Sequence, residues 1–277
     1  GSLLFWAWLL SLFTVIVLVQ NQKKNALLLP YAMAVMSFAT FFFLYLVVFK
    51  SNPLQLSPAA PPDGTGLNPL LQNVMMVFHP PSLYIGFVGF TVPFAFAIAA
   101  LLTGQLDEQW IKSIRRWTLF SWVFLTIGNI LGMQWAYVEL GWGGYWGWDP
   151  VENSSLLPWL TGTAFLHSVI VQERKGMLKK WNLALVALTF ALTIFGTFVT
   201  RSGLISSVHA FGVSDLGPLF LGFLALIIVG SILLIWKRSN LLQSDKKLGS
   251  WTSKESSFML NNLFFVALTF GIFIGTI

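Results

Sequence analysis

The chain has 277 residues, of which 56% are hydrophobic and 9% are charged, and its mean hydropathy is +0.75. This composition excludes a water-soluble globular domain of ordinary make-up and predicts an integral membrane protein in contact with the lipid bilayer. The sequence contains no Cys, which excludes disulfides, Cys-ligated metals, iron–sulfur clusters and thiol catalysis by this chain. In a membrane protein the net charge of +6 reflects loop topology, so we expect no nucleic-acid partner.

Eight apolar runs are long enough to cross a bilayer, which takes roughly twenty residues of helix. We therefore predict an all-α fold, a polytopic transmembrane helical bundle with an outward-facing Trp-rich loop. Residues 1–277 are interpreted as a single membrane domain, and because neither end shows a polar flank we expect a segment of a longer protein. The predicted spans are 3–20, 27–49, 82–102, 117–137, 156–172, 182–199, 218–236 and 258–277.

The loops between these runs alternate in charge. Fourteen of the sixteen basic residues lie in one alternating set of loops, whereas the other set holds only Lys50 and Arg201. By the positive-inside rule, the basic loops face the cytoplasm and the other set faces outward. The segment 104–116 belongs to the basic set, and we interpret it as a charged inner loop with an amphipathic turn.

One outward loop, residues 138–155, is rich in Trp and Gly. Glycines allow a ligand to approach the backbone closely, and indole faces give rigid apolar contact. The loop therefore predicts a surface for a large flat ring, whereas an aromatic belt at the membrane interface is the alternative. The candidate contacts are Trp135, Trp142, Trp146 and Trp148.

Two of the three His flank this loop on the outward side. His79 lies just before the third predicted span, and His209 lies between the sixth and the seventh. A flat macrocycle with a central iron takes one ligand above and one below, so the pair indicates a haem held between two imidazoles. The alternative is that each is a solvated loop residue.

The third His, His167, lies within a predicted span. It is eleven residues beyond Leu156, or about 16 Å at 1.5 Å per residue, which predicts a position near the middle of the hydrocarbon. An imidazole at that depth suits a b-type haem, and the alternative is a neutral donor that bonds a neighbouring helix. Since no second intramembrane His is present, the iron is either five-coordinate or has its other ligand beyond Ile277.

The charged residues of the outward loops have structural as well as ligand-binding interpretations. Arg201 is a candidate partner for haem propionates, and snorkelling to lipid phosphate is the alternative. Asp149 is a candidate at the haem surface, and together with Glu152 and Asn153 it is expected to cap the fifth helix. Pro150 suits the first turn of that helix. No residue is nominated as catalytic.

The stretch from Trp142 to Asn153 reads Trp-Gly-Gly-Tyr-Trp-Gly-Trp-Asp-Pro-Val-Glu-Asn. It resembles the tryptophan-rich WWD signature of haem-handling proteins in cytochrome c biogenesis. The motifs His79-Pro-Pro-Ser-Leu-Tyr and Thr200-Arg-Ser-Gly to Val208-His209-Ala-Phe are similar to the cytochrome c maturation protein F branch (CcmF/NrfE, with CcsA-type haem lyases). The shorter haem-delivery relative CcmC shares the WWD theme but lacks the Asp-Pro-Val-Glu-Asn continuation.

The resemblance implies a haem lyase of the bacterial cytoplasmic (inner) membrane whose active side is periplasmic. In that family the chaperone CcmE delivers haem, two periplasmic-side His hold it at the WWD surface, and its vinyl groups are joined to the thiols of Cys-x-x-Cys-His in apocytochrome c. Carried over, the axial pair falls on His79 and His209, and the b-haem ligand falls on His167, with its partner past Ile277. The implied partners are CcmE, a CcmH-type thiol-handling subunit and apocytochrome c.

Two other functions are compatible with the same residues. A haem exporter or haem-delivery protein is the main alternative, because binding and transport would use the same ligands. A quinone-linked membrane oxidoreductase is a further alternative, although it normally needs two haems or a separate redox centre.

Overall fold

The computed structural model is a bundle of membrane-length helices. It describes residues 1–56, 58–64, 66–141, 143–203, 205–207, 209, 215–244, 250 and 253–277, without the side chains of residues 108 and 109. Within these residues it contains nine α-helices and no β-strand. The helices are α1 (Ser2–Asn21), α2 (Leu29–Tyr45, continued by a π-helical turn, Leu46–Lys50), α3 (Val74–Gly89), α4 (Thr91–Thr103), α5 (Glu108–Glu139), α6 (Pro150–Lys175), α7 (Lys179–Ser202), α8 (Gly217–Lys237) and α9 (Lys254–Ile274).

Eight segments of the described chain are long and apolar enough to cross a membrane. Helices α3 and α4 together form one of them, Val74–Thr103, because the chain continues through Phe90 with only a break in the hydrogen-bond pattern. The predicted all-α bundle of eight spans is therefore confirmed, and the chain is a multi-pass membrane protein.

The start of the third span differs from the prediction. Helix α3 begins at Val74 instead of residue 82, because the Asn73 side chain caps it by accepting a hydrogen bond from the Met75 N–H at 2.8 Å. Pro80 and Pro81 lie inside this helix, although Pro usually interrupts one. The expected position of His79 before the third helix is therefore wrong, since His79 is part of α3.

Two further helices, α5 and α6, also begin earlier in the sequence than predicted. Residues 108–116 of the predicted inner loop are helical and belong to α5. Helix α6 begins at Pro150, where Asp149 and Glu152 form the expected capping box. His167 consequently lies about 26 Å along this helix at 1.5 Å per residue, in its C-terminal half, so the distance of about 16 Å expected from a start at Leu156 is wrong. Its depth in the bilayer stays a prediction.

Glycines bring α3 and α5 into close contact. A Cβ added to Gly86 would lie 2.8 Å from the backbone nitrogen of Leu125, and one added to Gly132 would lie 2.6 Å from Cε1 of His79. Small residues at such crossings allow helix backbones to approach each other in a membrane. The α3–α5 contact therefore holds His79 directly against α5.

Hydrogen bonds join several connections at one end of the bundle. The Asn73 amide donates to Glu139 Oε1 at 2.7 Å, and the Asn153 amide donates to Thr276 Oγ1 at 3.0 Å. The first bond joins the start of α3 to the end of α5, and the second joins the start of α6 to the end of α9. The Ser155 hydroxyl links the two pairs by donating to Asn129 Oδ1 at 2.7 Å. The Trp-rich connection and His79 thus share one end of the bundle, as the charge alternation predicts, and we call it the outward end.

Candidate functional site

A cavity opens at the outward end, among α1, α3, α5, α6 and α7, and together with its opening it occupies about 720 Å³. Its described lining comprises Trp6, His79, Leu83, Tyr84, Phe87, Asn129, Gly132, Met133, Trp146, Val151, Glu152, Ser154, Ser155, Gly196, Thr197, Thr200 and His209. The cavity therefore combines apolar and aromatic surface with two imidazoles. We refer to it below as the outward cavity.

His79 is held in one orientation by α5. Its Nδ1 lies 2.7 Å from the carbonyl oxygen of Gly128. A carbonyl only accepts hydrogen bonds, so Nδ1 carries the proton and donates it. The imidazole ring also packs against Gly132, where no Cβ fits. His79 therefore keeps Nε2 as an unprotonated nitrogen that is available to a metal.

His209 is held in a similar way by Asp149. Its Nδ1 lies 3.0 Å from Asp149 Oδ1, and the Ser207 hydroxyl donates to the same oxygen at 2.7 Å. The His209 ring also packs edge-on against Trp135, with 5.4 Å between the ring centroids. Hydrogen bonding of one imidazole nitrogen to a carboxylate is the usual arrangement of a metal-ligating His. This arrangement again leaves Nε2 as the candidate ligand.

Asp149 has two roles in this arrangement. Its side chain accepts a hydrogen bond from the Val151 N–H at the start of α6 and also holds His209. Burial raises the pKa of the Asp149 carboxyl most strongly, but the hydrogen bonds from His209 and Ser207 more than offset this effect and leave the pKa below its ordinary value. The carboxylate is therefore charged at neutral pH and orients the imidazole of His209.

The interpretation of His79 and His209 as solvated loop residues is wrong for both. The His209 side chain is only 14% exposed, and His79 is half-buried in a helix. Both side chains line one cavity, although 130 positions separate them in the sequence. The structure thus brings together the two residues that the sequence nominates as a pair.

The four nominated Trp have different surroundings. Trp146 lines the outward cavity and donates to Asn153 Oδ1 at 3.1 Å. Trp135 is buried and packs on His209. Trp148 is 53% exposed, and its Nε1 lies 3.4 Å from the carbonyl of Gly275 at the end of α9. The prediction for Trp142 lies outside the described residues. An interfacial belt therefore describes Trp148 better than it describes Trp146 or Trp135.

The two other charged residues considered, Glu152 and Arg201, differ in their relation to the cavity. Glu152 lines it and accepts hydrogen bonds from the backbone N–H groups of Gly147 and Asp149 at 3.0 and 3.2 Å. Arg201 donates to the Ser2 hydroxyl and is not among the described lining residues. Its role with haem propionates stays a prediction.

His167 lies apart from this site. Its Nδ1 is 2.8 Å from the side-chain amide of Asn261 on α9, so the expected alternative, a polar contact with a neighbouring helix, is present. The rings of Phe258 and Phe265, both on α9, lie beside the imidazole of His167. Their centroids are 6.0 and 5.9 Å from the imidazole centroid.

Sequence reasoning missed the α5 side of the outward cavity. Gly128 supplies the carbonyl that orients His79, Gly132 makes room for its ring, and Met133 lines the cavity beside them. The spacing Gly128-x-x-x-Gly132 in an apolar run is typical of a close helix crossing in membranes. That signal could have pointed to the contact, although not to the residue that α5 meets.

The donor set of the site suits a metal that is already held by a macrocycle. Within the described part of the chain, no group of three or more His, Cys, Asp or Glu could bind a bare metal ion. A haem iron needs only axial ligands from the protein. The fold and the cavity define a polytopic membrane protein that presents two oriented imidazoles to one apolar cavity.

Comparison with known proteins gives the family. The family described as "Cytochrome C assembly protein" matches residues 1–205. The chain belongs to this family.

Three of the similar proteins carry the name CcmF. "Cytochrome c-type biogenesis protein CcmF" of Pseudomonas aeruginosa is 46% identical over 100% of this chain and 42% of its own length. The protein of the same description in Escherichia coli K12 is 45% identical over 100% of this chain and 43% of its own length. A solved structure titled "Cytochrome c Heme Lyase CcmF" superposes with a TM-score of 0.79 at 34% identity, covering 100% of this chain and 40% of its own. The chain thus spans about two fifths of these relatives.

Proposed function

We propose that this chain holds substrate haem in the outward cavity, with His79 and His209 as the two axial ligands, and promotes its covalent attachment to apocytochrome c. The observation that carries the proposal is that both imidazoles line one cavity and each has its Nδ1 anchored. The relatives named as CcmF and as a haem lyase support the reaction class. By the charge alternation, the cavity faces the periplasm in the bacterial cytoplasmic membrane.

The reaction fits a chain without Cys. The thiols come from the Cys-x-x-Cys-His motif of apocytochrome c, and each adds across a vinyl group of the haem. A C–S bond forms at one vinyl carbon and the thiol hydrogen ends on the other, so no oxidant is consumed. What the protein supplies is position and orientation, which can contribute most of a rate acceleration.

The residues of the cavity have separate roles in this proposal. His79 and His209 hold the iron through Nε2. Gly128 and Asp149 fix the orientation of these two imidazoles by hydrogen bonds to their Nδ1 atoms. The indole of Trp146 packs against the flat apolar ring, as aromatic faces do. No side chain is assigned the transfer of the thiol hydrogen.

We further propose that His167 ligates a resident b-type haem. The half-buried imidazole next to two Phe rings suits one face of a porphyrin. The second axial ligand would come from outside this chain. When bound, such a haem supplies one-electron exchange.

The proposed partners follow from the family. They are the haem chaperone CcmE, a CcmH-type thiol-handling subunit and the apocytochrome, in addition to the bilayer. Loops at the outward end would meet all three, because both cavity histidines and the Trp-rich connection lie there.

Co-expression with an apocytochrome separates a lyase from an exporter. The full-length protein, its partner subunits and an apocytochrome with one Cys-x-x-Cys-His motif are produced together under haem-replete conditions. A lyase yields haem that stays with the cytochrome on a denaturing gel. Free haem outside the membrane without any covalent product would favour export and contradict the proposal.

A further inference from the structure

The outward cavity has an inner end, deeper in the bundle than the two imidazoles, which is lined by Trp6, Tyr84 and Asn129. Asn129 lies ten residues before the end of α5 and Tyr84 lies ten residues after the start of α3, so each is about 15 Å from the outward end of its helix. The Phe5 ring packs edge-on against Tyr84, with 5.5 Å between the centroids, which places the adjacent Trp6 at the same level. Tyr84 is five residues, or about 8 Å, farther along α3 than His79.

The three side chains of the inner end present hydrogen-bond donors to the cavity. Trp6 is 1% exposed and Asn129 is 8% exposed. Asn129 Oδ1 accepts a hydrogen bond from the Ser155 hydroxyl at 2.7 Å. Its amide NH₂, the Trp6 indole N–H and the Tyr84 hydroxyl have no hydrogen-bond partner among the described residues, and none of these donor atoms is fully enclosed. Each donor is therefore accessible from the cavity that its residue lines.

This set of donors suits a carboxylate. N–H and O–H groups form their strongest hydrogen bonds with a charged acceptor. Among the described lining residues only Glu152 carries a carboxylate, and it lies in the first turn of α6 at the outward end. The donors of the inner end therefore face no competing negative charge from the described lining. The positive charge of a ferric haem iron would offset part of the cost of burying an anion.

The chemistry of haem gives its two edges different requirements. The vinyl groups lie on one side of the ring, and the propionates lie on the opposite side. In the proposed function the thiols of apocytochrome c arrive from the outward end, so the vinyl edge has to face the outward opening. His79 and His209 would fix the iron, but two axial ligands leave the ring free to rotate about the axis between them. Contacts at an edge are needed to set that rotation.

We propose that Trp6, Tyr84 and Asn129 bind the propionate edge of the haem and thereby direct its vinyl edge to the outward opening. The assignment rests on the proposed function, because it takes the iron position from His79 and His209. It gives the inner end a role in specificity, since a porphyrin without propionates would lose both affinity and orientation.

The test compares three porphyrins that differ at one edge. Full-length protein carrying His167→Ala, which removes the second proposed haem site, is titrated with haem, haem dimethyl ester and mesohaem, and binding is followed by Soret absorbance. The ester masks both carboxylates, and mesohaem has ethyl groups in place of the vinyls. We expect the ester to bind about a hundredfold more weakly than haem, because hydrogen bonds to charged groups are lost. Mesohaem should bind as tightly as haem.

Removing single donors should reduce this preference. Tyr84→Phe removes only a hydroxyl, Trp6→Phe removes the indole N–H, and Asn129→Leu removes the amide. Each should lower the ratio of haem affinity to ester affinity about fivefold. The matched controls Trp8→Phe and Tyr31→Phe change exposed residues outside the described lining and should leave the ratio at its wild-type value.

Equal binding of haem and its dimethyl ester would overturn the assignment of the inner end. The proposed function would still stand if the bound haem kept a low-spin signal that His79→Ala removes. A preference for haem that disappears with Arg201→Gln and survives all three donor substitutions would place the propionates at Arg201 and also overturn the assignment. Protein in which His79→Ala and His209→Ala change the binding of none of the three porphyrins would contradict the proposed function, and the assignment with it.

Discussion

The outward cavity and the surroundings of His167 differ in the group that contacts the Nδ1 atom of the imidazole. In the cavity, the Nδ1 atoms of His79 and His209 face a carbonyl and a carboxylate, which accept hydrogen bonds but cannot donate them. His167 Nδ1 faces the side-chain nitrogen of Asn261, which donates as it is placed, but an exchange of the amide nitrogen and oxygen would turn the same residue into an acceptor. The cavity partners therefore place the imidazole proton on Nδ1, whereas the partner of His167 leaves the tautomer open. The chemistry of the neighbour, more than the imidazole itself, distinguishes the two sites.

Removing both cavity ligands should give the largest effect. We expect His79→Ala combined with His209→Ala to abolish covalent haem attachment in the co-expression assay, a loss greater than the roughly 10–100-fold typical when only a partner of a ligand is removed. The product is measured by haem staining of a denaturing gel against the amount of apocytochrome. Product at the wild-type level would contradict the assignment of both ligands.

A substitution at Gly132 can crowd the His79 ring without removing it. Gly132→Ala places a Cβ 2.6 Å from the His79 ring, so we expect haem retention to fall by at least about tenfold, together with a loss of about 1–3 kcal/mol in stability from overpacking. Absorbance in the Soret region and thermal unfolding report the two effects. In the matched control, Gly230→Ala, the added Cβ meets nothing within 4 Å, and a comparable loss there would show that the effect is general.

The carboxylate that orients His209 can be changed in two steps. Asp149→Ala removes both the helix cap and the anchor, so we expect roughly 10–100-fold weaker haem retention and about 1 kcal/mol lower stability. Asp149→Asn keeps a capping side chain and a neutral acceptor, so haem retention should be intermediate and stability nearly unchanged. Haem titration and thermal unfolding check the order of the three proteins. Equal haem retention in all three proteins would contradict a role for Asp149 at the haem site.

The smallest effect is expected at Asn261, the hydrogen-bond partner of His167. In protein that already carries His79→Ala and His209→Ala, Asn261→Leu should lower haem retention by about fivefold, because one neutral hydrogen bond contributes about 1 kcal/mol. His167→Ala in the same background should remove the remaining haem. A loss with Asn261→Leu as large as that with Asp149→Ala would mean that the two sites do not differ as described.

The sequence alone was sufficient to predict the number of spans and to place His79 and His209 at the same end of the bundle. Long apolar runs and alternating loop charge depend on local composition, and the cap formed by Asp149 and Glu152 is also local. The start of α3 was missed because His79-Pro-Pro indicates a helix interruption, whereas the Asn73 cap begins the helix upstream.

Contacts between distant helices were beyond sequence reasoning. The Gly128 carbonyl meets His79 only because two helices cross at glycines. Asp149 was expected to cap a helix, and nothing local indicates that it also meets His209, since 60 positions separate them. Such pairings depend on the crossing of whole elements, which one sequence does not encode in any short pattern.

The most direct test of the shared-iron claim is the spin state of the bound haem. In full-length protein carrying His167→Ala, electron paramagnetic resonance of the ferric haem should show a low-spin, bis-imidazole signal. Adding either His79→Ala or His209→Ala should convert it to high-spin, and free imidazole should restore it. A low-spin signal that survives both single changes would show that these two histidines do not ligate the same iron.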